Sequence, residues 1–85
     1  MGQATEIYAK EFEALFQRLP SHVRERILGK IRELGRRLAD YPHERLQGRS
    51  EFKLRVGDYR VIYESDSRLN EVYLITIGHR REVYR

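Results

Sequence analysis

Cysteine is absent from the 85 residues, which excludes a disulfide framework and a thiolate metal site and fits a reducing cytoplasm. Other metal ligands are sparse. The histidines are His22, His43 and His79, and no pair has the i, i+4 spacing of a helical zinc site. Neither a metal nor another cofactor is expected. No apolar run approaches the roughly 20 residues that cross a bilayer, so no membrane association is expected. The opening Met1-Gly2-Gln3-Ala4-Thr5-Glu6 has neither a basic n-region nor an apolar h-region, so it does not read as a signal peptide. Repeats, low-complexity tracts and Gly/Ser linkers are also missing. One domain spanning residues 1–85 is expected, with one modest core.

What the chain does have is positive charge: 17 Lys+Arg against 13 Asp+Glu, a net +4, with a pI near 9.7. Net charge alone fits many soluble proteins. Basic residues gathered on one face would point to a polyanion, so their placement decides. The apolar spacing changes once, near Tyr41-Pro42. Before it, Phe12, Leu15, Phe16 and Leu19 follow i, i+3, i+4, i+7, which predicts a helix that Pro20 closes. Ser21 then reads as the N-cap of a second helix, with Glu25 near its start and Val23, Ile27, Ile31, Leu34 and Leu38 as its buried stripe. Gly29 and Gly35 each cost about 1 kcal/mol relative to alanine inside a helix, and close approach of a helix or of the sheet would offset that. A short opening strand is expected around Thr5 to Tyr8.

After the switch the period is two. Phe52, Leu54 and Val56 alternate with Lys53 and Arg55; Gly57-Asp58 turns the chain; Tyr59, Val61 and Tyr63 follow. Residues 65–70 form a second polar turn, and Glu71 to Ile77 completes an antiparallel meander. The last strand is apolar on both faces, as a central or doubly covered strand would be. The fold class is therefore α+β: an N-terminal strand and a helical hairpin packed on a small antiparallel sheet.

Pleating puts Lys53 and Arg55 opposite Phe52 and Leu54, and a Gly57-Asp58 hairpin brings Arg60 to the same face. Cations directed outward from neighbouring strands repel, which lowers stability without a ligand. Beyond the last strand come Gly78-His79-Arg80-Arg81-Glu82-Val83-Tyr84-Arg85, too polar to serve the core alone. Lys53, Arg55, Arg60, Arg80 and Arg81 form an expected concave basic patch suited to a polyanion such as a nucleic-acid backbone, with His79 and Tyr84 at its edge. Edge charges that block strand pairing explain Lys53 and Arg55 equally well; they explain Arg60 and the terminal cluster poorly.

Two segments, Lys53-Leu54-Arg55-Val56-Gly57-Asp58-Tyr59-Arg60-Val61-Ile62-Tyr63 and Ile77-Gly78-His79-Arg80-Arg81-Glu82-Val83-Tyr84, resemble the RelE/ParE toxin superfamily. The second resembles its RelE-type mRNA interferases, since gyrase-poisoning ParE relatives generally lack a basic ending with tyrosine. The order of elements agrees over nearly the whole chain. The resemblance implies a RelE-like microbial RNase fold and the toxin of a type II toxin–antitoxin system. It implies cytoplasmic action on ribosome-bound mRNA, metal-independent cleavage in the A site by 2′-hydroxyl attack, and a RelB-like antitoxin as partner.

Carried over by position, Lys53, Arg60, Arg80 and Tyr84 match the RelE catalytic set. The arginines would hold the phosphate and stabilise developing charge, Lys53 would add to that field, and Tyr84 would act as base or stack on a nucleobase. Two positions depart from the pattern. Glu51 stands where the family has a second lysine, and His79 stands where lysine is common, offering a residue type suited to proton transfer near neutral pH. Glu44-Arg45-Leu46-Gln47-Gly48 also resembles the stretch that carries the glutamate base of the YoeB-like branch. Glu44 thus joins Tyr84 and His79 as a base candidate, beside its plainer reading as a loop carboxylate. The chain stops one residue after Tyr84, where many relatives continue into a short helix, and the tyrosine is expected to be mobile. Two other readings stay open: a ParE-like gyrase inhibitor, and a catalytically silent RNA- or protein-binding relative.

Overall fold

The structure, a computed structural model, describes residues 2–80. Its elements run β1 (Thr5–Tyr8), α1 (Lys10–Gln17), α2 (Ser21–Arg36), β2 (Glu44–Arg45), β3 (Phe52–Val56), β4 (Tyr59–Asp66) and β5 (Glu71–His79). The apolar stripes do what their spacing predicts. Phe12 is buried between the rings of Tyr8 and Phe16, at 5.2 and 5.6 Å. From α2, Ile27, Ile31 and Leu34 are fully buried against Leu54, Val61, Tyr63, Val72 and Leu74 of the sheet. Each such side chain contributes about 1.5–3 kcal/mol by leaving water.

The helix ends differ from expectation in one respect. Ser21 is the first helical residue and makes no capping bond; Pro20 holds the cap position, and its carbonyl accepts from the N–H groups of Val23 and Arg24. Proline suits this place because its carbonyl is free to accept while its ring fixes φ. The two helical glycines also separate. A Cβ on Gly35 would lie 2.5 Å from Gln3 Nε2, where the chain leading into β1 crosses the helix and Ala4 N–H bonds the Gly35 carbonyl. Among the described residues nothing approaches a Cβ on Gly29, so their packing does not account for it.

The sheet has five strands in the order β1-β5-β4-β3-β2. The meander β3-β4-β5 is antiparallel as expected, but β1 joins β5 in parallel, so the sheet is mixed. That placement makes β5 an interior strand, which explains its apolar residues. Glu44 and Arg45, expected in a loop, form the short edge strand β2 and pair with Lys53 and Phe52. The Gly57-Asp58 loop carries its positive φ at Gly57 alone, the pattern of a type II′ hairpin turn, which has glycine first.

One irregularity decides the geometry of the molecule's open face. Between β4 and β5, Ile62 pairs with Thr76 but Tyr63 pairs with Leu74, so Ile75 is an extra residue. This β-bulge reverses the inside–outside alternation of β5. Val72 and Leu74 point to the helices before it, and Ile77 does so after it.

At the far end of the core, Tyr63 is fully buried and its hydroxyl lies 2.6 Å from His43 Nδ1. His43 Nε2 lies 2.9 Å from the Leu38 carbonyl. A carbonyl only accepts, so Nε2 carries the proton and the tyrosine donates to Nδ1. Burial raises the Tyr63 pKa above its ordinary value, which keeps the hydroxyl protonated for this role. The Phe52 ring, 4.9 Å from His43 and 5.5 Å from Tyr63, closes the cluster. Tyr63→Phe should keep the packing and leave Nδ1 unpaired, costing about 1 kcal/mol. Thermal denaturation should show a midpoint about 4–8 °C lower; an unchanged midpoint would mean the bond contributes nothing.

Candidate nucleic-acid interface

The helices cover one face of the sheet. The strand register assigns the side chains of the other. Arg55 is directly opposite Arg60, Lys53 opposite Ile62, and Glu44 opposite Lys53. All five therefore share the face away from Leu54, Val56 and Val61, which are buried in the core. Arg60 is opposite Gly78 on β5, so the strand beside it has no side chain to obstruct approach. Three of the expected basic residues do share a face.

Their charges are partly balanced inside the chain. Glu44 takes both Arg55 donors, with Nε to Oε1 at 3.2 Å and Nη2 to Oε2 at 2.9 Å, and Lys53 Nζ stands 3.2 Å from Oε2. A fork-to-fork Arg–carboxylate pair is the strong form of this interaction. The Arg55 hydrogen bond, with that of Lys53, holds the Glu44 pKa below the ordinary carboxylate range. Repulsion between Lys53 and Arg55 is thus relieved by a carboxylate on the edge strand.

The other cations are tied to the hairpin turn. Arg60 Nη1 donates to the carbonyls of Gly57 and Tyr59, both at 2.8 Å, while its Nε is buried with no partner among the described residues. The Arg80 N–H donates to the Asp58 carbonyl at 2.8 Å, extending the ladder past β5, and its Nη1 is 4.0 Å from Asp58 Oδ1. Arg60 and Arg80 are therefore anchored on adjacent turn residues. Asp58 was read from sequence only as a turn former; its place beside glycine gave no signal that it would hold an arginine.

His79 departs from the expected arrangement. It pairs with Tyr59, whose ring packs on the core, and the two rings meet edge-on at 6.1 Å. Because of the bulge at Ile75, Gly78 lies on the open face and His79 on the helix side. A strand without the bulge would have placed His79 with the arginines, as simple alternation predicts. Arg81 and Tyr84, the remaining expected site residues, lie outside the described residues.

A family model described as the ParE toxin of type II toxin–antitoxin systems, parDE, matches residues 7–84. A search of curated proteins finds no match. Among solved structures, the fold is similar to the archaeal RelE–RelB complex of Pyrococcus horikoshii, with a TM-score of 0.79 at 21% identity over 95% of this chain and 99% of that one. The RelBE2 toxin–antitoxin complex of Mycobacterium tuberculosis gives 0.77 at 20% identity over 96% and 97%. The isolated RelE toxin of E. coli gives 0.72 at 24% identity over 95% and 90%.

The Glu44 bridge has a measurable pH signature. Its folded pKa is depressed, so its stabilisation is complete above the ordinary carboxylate pKa and is lost as pH falls through the lowered value. Glu44 is 44% exposed, so screening by water keeps the contribution under about 1 kcal/mol. Glu44→Gln should melt below wild type at pH 6, with the gap closing towards pH 3 and in high salt. A gap that persists at pH 3 would assign the effect to something other than the ion pairs.

Proposed function

The chain belongs to the ParE toxin family of type II toxin–antitoxin systems, within the RelE/ParE superfamily, and on that premise we propose that it is an endoribonuclease cleaving ribosome-bound mRNA. The observation that carries this reading is the convergence of Arg60 and Arg80 on the Gly57-Asp58 turn, at the end of an uncovered face that also presents Lys53 and Arg55. A phosphate there would meet fixed cations from neighbouring strands. Fixed donors at developing charge are what phosphoryl chemistry needs.

In the reaction, the RNA 2′-oxygen attacks the adjacent phosphorus and its proton passes to a base. The bond from phosphorus to the 5′-oxygen breaks, and that oxygen takes up a proton from an acid. A 2′,3′-cyclic phosphate and a 5′-hydroxyl result. Lys53, Arg60 and Arg80 stabilise the extra negative charge on the five-coordinate phosphorus. Of the base candidates, Glu44 is engaged by Arg55 and Lys53 with a lowered pKa, which makes it a weak proton acceptor. His79 is on the helix side of β5. Both observations favour Tyr84 as base or as stacking platform. The relatives crystallised with RelB support a cognate RelB-like antitoxin as partner, and cytoplasmic action follows from a ribosomal target.

The matching family model is that of ParE, which keeps gyrase inhibition as the second reading. Inducing the chain in cells and mapping mRNA 5′ ends distinguishes the two: cuts within translated codons support the nuclease, and inhibited supercoiling with intact mRNA supports the gyrase inhibitor. Arg60→Ala and Arg80→Ala should each lower the cleavage rate by about 10²–10³-fold, the usual loss for one transition-state donor. Tyr84→Phe beside Tyr84→Ala separates the roles of hydroxyl and ring. If both arginine variants cut at the wild-type rate, the assigned site is wrong.

A further inference from the structure

The positive surface does not stop at the open face. On α2, Arg26, Gly29, Lys30 and Glu33 follow i, i+3, i+4, i+7 and form one stripe. With Arg55, Val56 and Gly57 of the β3–β4 hairpin they line a groove of about 310 Å³. Its charged lining is Arg26, Lys30 and Arg55 against Glu33 alone, and Glu33 is shared with Lys30 at 3.8 Å and Arg37 at 3.7 Å.

Two details argue that something lies in this groove. Gly29 costs helix stability, yet a Cβ there would meet nothing within 4 Å. Unlike Gly35, it has no neighbour among the described residues that requires its small size. A glycine facing a groove allows close approach of a ligand. The second detail is Arg26, whose Nη1 and Nη2 would each lie 3.3 Å from a Cβ on Gly57. The turn is thus flanked by Arg26 from the helix side and by Arg60, bonded to the Gly57 carbonyl, from the open face. Arg55 both lines the groove and stands opposite Arg60. Cations thus border the hairpin on both of its sides.

We propose that this groove is a second phosphodiester subsite. An RNA strand held at the open face continues around the Gly57-Asp58 turn, and its next phosphates settle between Arg26, Lys30 and Arg55, over Gly29. This rests on the reading of the open face as an RNA site. The chemistry favours an RNA backbone over an acidic peptide. Peptide grooves anchor apolar side chains, and Val56 is the groove's one large apolar residue. Backbone recognition needs cations and a fitting shape.

The test uses 2′-O-methyl RNA, which cannot be cleaved, as a tetranucleotide and a dodecanucleotide, with affinity measured by fluorescence anisotropy over a range of salt. Arg26→Ala and Lys30→Ala should each weaken the dodecanucleotide about 3–10-fold and reduce its salt slope by about 0.7, one phosphate contact on a single strand. Neither should affect the tetranucleotide. Gly29→Ala should raise the thermal midpoint by about 4 °C and still weaken the dodecanucleotide, a combination that a purely structural glycine would not give. If the three variants bind the dodecanucleotide as wild type does, while Lys53→Ala weakens both oligonucleotides, the groove is not an RNA subsite and the open-face reading stands. If the wild-type chain binds neither oligonucleotide, both readings fail. If Arg26→Ala loosens a dodecameric poly-glutamate peptide but no RNA, the groove belongs to an acidic protein segment and the proposal is overturned.

Discussion

The extra residue at Ile75 governs the rest of this structure. β5 is apolar on both faces, and the residues it commits to the core are Val72, Leu74 and Ile77, a spacing that unbroken alternation cannot bury on one face. The bulge between the Ile62–Thr76 and Tyr63–Leu74 pairs resolves the conflict by shifting parity once. All three side chains then reach the helices. The consequence beyond the bulge is chemical. Gly78 faces outward beside Arg60, the same alternation continued carries Arg80 to that side, and His79 turns inward against Tyr59. A packing requirement in the middle of a strand thus selects which terminal residues can meet a ligand.

The Gly57-Asp58 turn is the second organiser. Its positive φ suits glycine, and its carbonyls hold Arg60 and the Arg80 N–H. The open sheet face therefore ends in arginines whose positions are set by backbone. Long cationic side chains lose much rotamer freedom when they are fixed. Anchoring them during folding means that less of this loss falls on binding.

Glu44 shows how the chain tolerates such a concentration of charge. Arg55 and Arg60 are directly opposed on adjacent strands, an arrangement that costs stability. The Glu44 carboxylate draws Arg55 and Lys53 to the β2 side, while Arg60 bends towards the turn carbonyls. The opposed pair, Arg55 and Arg60, is separated because the two guanidinium groups turn to different acceptors.

Much of this was legible in the sequence. Periodicity of 3.6 and then two located both helices and the meander, because burying one face imposes those periods on any chain. The same alternation put Lys53, Arg55 and Arg60 on a common face. Other features were decided by the tertiary structure alone. The parallel addition of β1 and the short strand β2 depend on contacts between residues far apart in the chain, which leave no local period. The bulge is invisible to alternation because it is a break in it, so the sequence shows His79 only as a neighbour of the arginines in the terminal run and not which face it takes. Gly29 and Gly35 looked alike in the sequence. Only the crossing of Gln3 and Ala4 over one of them, and open space over the other, tells them apart. Local pattern fixes which face of an element is buried; the register between elements, set by how their side chains fill a common core, fixes which charged groups become neighbours.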